Sequence, residues 1–206
     1  ALEPDTGFDG AEGRSDWYTP WGGPPDVRSM SEWDDDVYVN VHVGGILRTD
    51  DGGASWTPTI DIDADVHQVA TAEGLVLAAC AGGVAASSDR GATWTMRADG
   101  LEAPYSRAVT VCGEAILASA SRGPRGSRAA VYRGDLATGG FEHCRAGLPE
   151  WFDGNIDTYC LDALSAGSFA AFGTSQGSVY VSDDAGSTWH ELASGLPGVQ
   201  HILVVP

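Results

Sequence analysis

The sequence predicts an all-β protein made of repeated four-stranded antiparallel sheets, and three observations carry this. The stretch Thr49-Asp50-Asp51-Gly52-Gly53-Ala54-Ser55-Trp56 returns as Ser87-Ser88-Asp89-Arg90-Gly91-Ala92-Thr93-Trp94 and as Ser182-Asp183-Asp184-Ala185-Gly186-Ser187-Thr188-Trp189. Each copy reads Ser/Thr-x-Asp-x-Gly-x-x-Trp. Asp51 and Asp89 lie 38 positions apart, near the roughly 40 residues that one four-stranded blade of a radial β array occupies. Finally, 28 Gly and 10 Pro with only 19% charged residues suit short strands joined by turns, and no long helical period appears.

The repeated stretch has the chemistry of a tight turn. Its Asp can accept bonds from backbone N–H groups just ahead, its Gly can take positive φ, and its Trp opens the next strand as a large apolar plug. Around these turns the elements fall in order. Residues 1–25 are an entering segment: 1–14 lack alternation and predict a loop, while Trp17-Tyr18-Thr19-Pro20 occupies the place that Trp56-Thr57-Pro58 takes later and predicts the last strand of a blade. A first full blade (26–63) has strands at Val27–Met30, Asp36–Val43, Ile46–Thr49 and from Trp56 onward. A second (64–104) repeats them at Val66–Val69, Leu75–Cys80, Val84–Ser87 and from Trp94 onward. The third (105–154) begins at Ser106–Val109, continues through Ala115–Ala120, and has a stretched loop at Ser121–Ser127 and a degenerate turn at Arg133-Gly134-Asp135 with Phe141 in place of Trp. The fourth (155–198) begins at Ile156–Tyr159 and ends at Trp189. Residues 199–206, with Val199–Val205 apolar, predict the closing inner strand of a fifth.

Aligning the five expected inner strands on Met30, Val69, Val109, Tyr159 and Ile202 puts Arg28, His67, Arg107, Asp157 and Gln200 at equivalent places. A structural repeat needs only small or apolar residues there, so polar and charged groups at one level predict a convergent site at the channel mouth, where propeller loops bind ligands. Tyr105 precedes Arg107 on the same strand, and His42 closes the second strand of the first blade. The insertion Ala146–Asn155 adds Glu150, Trp151 and Asn155, an aromatic beside carboxylates of the kind a sugar-binding surface uses. Arg28 and Arg107 favour an anionic group. His42, His67 and Asp157 are acceptable metal-ligand types but lack ligand spacing; neither a metal nor a cofactor is expected.

The repeated motif resembles the Asp-box, or BNR, repeat of sialidase-like β-propellers of the WD40/YVTN-BNR-like kind, and the resemblance spans nearly the whole chain once the degenerate copy is counted. It implies a β-propeller of about four complete blades plus a partial fifth. It also implies that Asp51, Gly53, Trp56, Asp89, Gly91, Trp94, Asp184, Gly186 and Trp189 are folding devices on the face opposite the binding site. For function the resemblance leaves three readings open. The first is a propeller that binds a small ligand, glycan or protein at its mouth. The second is a sialidase-like glycoside hydrolase, in which Arg28 and Arg107, with Arg122 as a distant third, would hold a carboxylate, Tyr105 or Tyr159 would attack, and Asp157 would be the acid, with Glu150 or Asp153 the carboxylates to pair with it. The Arg-Ile-Pro segment of true sialidases is absent, and no Glu has an evident place beside either tyrosine. The third is an assembly factor of the photosystem II Asp-box type, for which the available patch is Arg122, Arg125 and Arg128.

Charge narrows the partners. With 29 acidic against 11 basic residues the net charge is -18 and the pI about 4.3, so phosphate backbones and anionic membranes are repelled; no apolar run approaches a membrane span. Cys80, Cys112, Cys144 and Cys160 show no CxxC spacing and predict buried free thiols. The first residues lack the basic and apolar regions of a signal peptide. A cytoplasmic location is expected, with a secreted, disulfide-bearing form the alternative. The ring is expected to close with further blades or a second chain.

Overall fold

The computed structural model describes residues 7–206; the part of the expected loose end in residues 1–6 lies outside them. The chain forms four four-stranded antiparallel sheets, each a simple meander. The first contains β1 Val27–Trp33, β2 Asp36–Val41, β3 Gly45–Thr49 and β4 Thr57–Pro58. The second contains β5 Val66–Ala72, β6 Leu75–Cys80, β7 Gly83–Ser87 and β8 Thr95–Arg97. The third contains β9 Tyr105–Cys112, β10 Ala115–Ser121, β11 Ala130–Asp135 and β12 Phe141–His143. The fourth contains β13 Leu161–Ala163, β14 Ala170–Gly173, β15 Val179–Ser182 and β16 His190–Ala193. The inner strands β1, β5, β9 and β13 pack side by side. They surround a channel of about 450 Å³ lined by Met30, Gln68, Val109, Tyr159 and their neighbours.

The apolar core lies between sheets rather than within one. Side chains alternate along each strand, so Ile116, Ala118 and Ala120 of β10 face the second sheet with Leu77, Ala79 and Val84, while Leu117 faces the fourth with Phe172 and Trp189. A third layer joins Tyr38 and Ile46 to Val66, Val69 and Val76. A fourth, smaller layer packs Val39, Val41 and Leu47 against Ala11 and Trp17 of the entering segment. Strands buried on both faces read as continuous apolar runs, which is why Leu75–Cys80 shows no alternation. All four cysteines are free and buried in these layers.

The three repeated turns are built alike. Thr49, Ser87 and Ser182 each donate their hydroxyl to the Asp two residues on, at 2.8, 2.7 and 2.8 Å. The same hydroxyls accept the N–H of Gly53, Gly91 and Gly186. The Asp then accepts the N–H and hydroxyl of Ser55, Thr93 or Thr188. Each turn joins the third and fourth strands of its sheet, so in a meander it sits at the end opposite the start of the inner strand. The tryptophans wedge between sheets: Trp94 Nε1 donates at 2.7 Å to Thr59 O, the residue just after the first sheet's last strand, and Trp189 is buried in the layer shared with the third. Trp56 and Trp94 are only half-buried, packed at the margins of the layers on either side of the first sheet.

Three expected elements differ. Trp17-Tyr18-Thr19-Pro20 is not a strand: Trp17 turns inward to cap the first sheet, and Thr19 starts a tight turn closed by Gly22 N–H to Thr19 O at 2.9 Å. Ile156–Tyr159 is not the inner strand of the fourth sheet, which begins at Leu161. The Asp157 carboxylate takes the Thr158 N–H, Cys160 N–H bonds Asp157 O, and Tyr159 adopts φ 62°, so side-chain and turn bonds compete successfully with the ladder. The tail 199–206 is extended but unassigned to a strand. It runs beside the fourth sheet through Ile202 N–H to Tyr159 O and Val204 N–H to the Asp162 carboxylate. No helix among the described residues is long and apolar enough to cross a membrane.

Candidate functional site

The sheet ladders of three successive blades slip at one and the same place. Register shifts occur between Val27 and Ser29 in β1, between Val66 and Gln68 in β5, and between Ser119 and Ala120 of β10, which pair with Ala108 and Ser106 of β9. The extra residues are Arg28, His67 and Arg107. A bulged residue has no ladder partner and its side chain is re-aimed, so three of the expected mouth residues owe their direction to one repeated device. The fourth, Asp157, opens the turn that replaces an inner strand. Thr158 anchors that turn by donating its hydroxyl to His67 O at 3.0 Å, and Gln68 Oε1 accepts the Tyr159 N–H at 2.8 Å.

These groups act on one another. Arg107 Nη1 stands 3.5 Å from Asp157 Oδ1, its Cζ lies 5.5 Å above the Tyr105 ring, and its Nε is buried without an acceptor. Burial, and then the Arg107 charge, lower the Arg28 pKa, with Asp157 and Asp26 opposing. Burial raises the Tyr105 hydroxyl. His67 is fully buried, its Nδ1 is 2.6 Å from Ser106 O, its ring rests 4.6 Å from that of Tyr105, and burial pushes it down to about 4. His42 is buried under Trp21 and 3.7 Å from Asp26, with burial and then Arg28 lowering its pKa. At neutral pH both imidazoles are therefore uncharged. Around them lie the Arg28 and Arg107 guanidiniums and the Asp26, Asp65 and Asp157 carboxylates.

Arg28, Asn155, Asp157 and Gln200 line one cleft of about 370 Å³ with Asp26, Ser175 and Tyr159. Asn155 is braced in it by its Nδ2, which donates to Pro124 O at 3.1 Å. Tyr159 stands between this cleft and the channel: its hydroxyl accepts the Met30 N–H at 2.7 Å and its ring stacks on His201. Trp151 and Glu150 belong elsewhere, to a cluster on the third sheet. There Arg128 Cζ covers the Trp151 ring at 4.3 Å, His143 lies 4.8 Å from it, and Glu102 accepts from Arg145 at 2.9 Å. Glu150 is exposed beside His143. Arg122 and Arg125 are exposed on the adjoining hairpin loop. Among the described residues no group of three or more His, Cys, Asp or Glu could hold a metal ion.

Asp26 and Asp65 were not singled out from the sequence, although a signal existed. Asp26-Val27-Arg28 and Asp65-Val66-His67 are the same tripeptide pattern at the same point of two repeats, with Tyr105-Ser106-Arg107 the third version.

Sheets of this topology, joined by these turns, define a β-propeller built on Asp-box repeats. A profile of the BNR/Asp-box repeat matches residues 180–191, and the protein is a BNR/Asp-box repeat β-propeller. Among solved structures it is similar to an ancestral GH74 enzyme, with 14% identity over 95% of this chain and 25% of that one, at a TM-score of 0.65. It is similar to a GH74 xyloglucanase from Xanthomonas campestris, with 16% identity over 77% and 28% and a TM-score of 0.58. The WD40 repeats of RRP9 align with 14% identity over 85% and 55% at a TM-score of 0.61. The chain thus spans about a quarter of the length of the two GH74 proteins, and these likenesses concern the fold. No curated protein matches its sequence.

Proposed function

We propose that the protein binds a small carboxylated molecule, an acidic sugar above all, at the channel mouth between Arg28 and Arg107. One observation carries this: equivalent bulges re-aim Arg28 and Arg107 at the start of their inner strands, where the Arg107 charge helps to lower the Arg28 pKa, and leave Arg107 Nε buried with no acceptor. An anionic group between them would relieve both the repulsion and the orphaned donor. The local field in a concave site outweighs a surface average screened over about 10 Å, so the net charge of -18 is no obstacle. The surrounding hydroxyl, amide and carboxylate groups of Ser175, Asn155, Gln200 and Asp26 are those that sugar hydroxyls pair with, and the xyloglucanase likeness is consistent with a carbohydrate at the level of fold.

Binding is favoured over hydrolysis by the surroundings of the nucleophile. Tyr105 lies against His67 and Arg107, with its hydroxyl pKa raised by burial, and its described neighbours do not include a Glu base. Calorimetry with glucuronic, galacturonic and N-acetylneuraminic acids, against glucose as control, tests the reading. At least one acid should bind, and Arg107→Ala should weaken it at least about tenfold, as for loss of a charged hydrogen bond. Equal heats for wild type and variant would reduce the ring to channel lining.

A further inference from the structure

Of the seven tryptophans in the chain, Trp21 alone is exposed, at 67%. An indole held in water offers a large, flat apolar face for contact, with a polar N–H at one edge. The loop does not let it swing away. Gly22 N–H closes a turn onto Thr19 O at 2.9 Å, and the buried Thr19 hydroxyl bonds both the N–H and the carbonyl of Gly23, at 2.8 and 3.0 Å. Pro20 fixes one side of the turn, and Pro24 and Pro25 stiffen the exit. One part of the ring rests on the buried His42 imidazole, with centroids 4.5 Å apart and planes at 71°, which leaves the rest of the indole free. His42 in turn lies 3.7 Å from Asp26, and Asp26 and Arg28 line the same cleft.

We infer that Trp21 is a second subsite, a stacking platform for a neutral pyranose ring linked to the carboxylated sugar held at Arg28 and Arg107. The ligand is then an acidic oligosaccharide of at least two units, and Trp21 is a specificity residue that selects it over the free acid. A pyranose presents a patch of C–H groups on one ring face, and an exposed, immobilised indole is the surface that such a patch fits. The Asp26 carboxylate, 3.7 Å from the His42 ring on which Trp21 rests, is the nearby acceptor for sugar hydroxyls. Trp151 does not offer this, since its ring is covered by Arg128. The inference rests on the mouth reading above.

The test measures glucuronic acid with its β-1,4-linked glucose disaccharide, and galacturonic acid with its α-1,2-linked rhamnose disaccharide, each pairing the acid with one neutral ring. Each is titrated against wild type, Trp21→Ala, Trp21→Phe and Arg107→Ala, by calorimetry and by quenching of tryptophan emission. A disaccharide should bind more tightly than its acid and quench the wild type. Trp21→Ala should weaken the disaccharide about tenfold while changing the monosaccharide less than about twofold, and Trp21→Phe should restore part of the loss. Arg107→Ala should weaken both ligands. Disaccharide affinity untouched by Trp21→Ala, or no gain of disaccharide over monosaccharide, would overturn the platform and leave the mouth intact. Binding of none of these ligands, nor of N-acetylneuraminic acid, to the wild type, or binding indifferent to Arg107→Ala, would overturn both.

Discussion

The carboxylate of Asp89 shows how one side chain fixes a turn. It is fully exposed, yet hydrogen bonds from the Thr93 hydroxyl, the Thr93 N–H and the Ser87 hydroxyl hold its pKa at about 2, below the ordinary 3.8. Asp51 and Asp184 are lowered by the same kind of bonds. A folded pKa below the unfolded one contributes stability that is present above about pH 4 and disappears as the pH falls through about 2. Asp89→Asn keeps part of the turn bonding but cannot ionise, so it should melt below wild type at pH 7, and the gap should close between pH 4 and pH 2. Thermal melts across that range check it; a gap that stays constant would mean that the charge contributes nothing. These turns lie at the end of the sheets opposite Arg28, His67 and Arg107, so the same variant should keep its ligand binding.

At the scale of strands and turns, the tryptophan of each repeat is a wedge whose value depends on what stands on its far side. Trp189 is buried among Leu117, Cys144 and Phe172, while Trp94 and Trp56 are half-buried. Trp189→Ala should cost about 3–5 kcal/mol, and Trp94→Ala and Trp56→Ala clearly less. Denaturant midpoints at equal slope would show the order, and equal losses at all three would refute it. The strands of the middle sheets were legible in the sequence because local pattern and burial agree: Leu75–Cys80 is predicted and observed with the same ends. Ile156–Tyr159 was not, since its apolar spacing imitates an inner strand while Asp157 and Thr158 spend their side chains on the turn. Arg28, His67 and Arg107 were legible as equivalent positions. The bulges that aim them were not, because a ladder slip depends on how two strands pair, which neither strand states alone. Trp21 escaped because Trp17-Tyr18-Thr19-Pro20 imitates the segment after an Asp-box, and only the packing of Trp17 against Val41 and Leu47 shows that the chain turns there.

For the whole molecule, the placement of apolar layers between sheets sets an order of opening. Each layer is shared by two neighbours, so stability accumulates junction by junction along the array. The third sheet, β9–β12, stands between the two largest layers, whereas the first stands between the two smallest. Local opening has a free energy that tracks such burial. Amide hydrogens of β10 should therefore exchange with deuterium last and those of β2 and β3 first, which peptide-resolved hydrogen exchange by mass spectrometry can follow. Uniform exchange across all four sheets would mean a single cooperative unit. If the gradient holds, Trp21 and Arg28 are carried by the part of the molecule that opens most readily and Arg107 by the part that opens last, so a ligand bridging them would slow exchange mainly in β1–β3. The protein would then record occupancy of its mouth as a change in the lifetime of one sheet, with no change in shape.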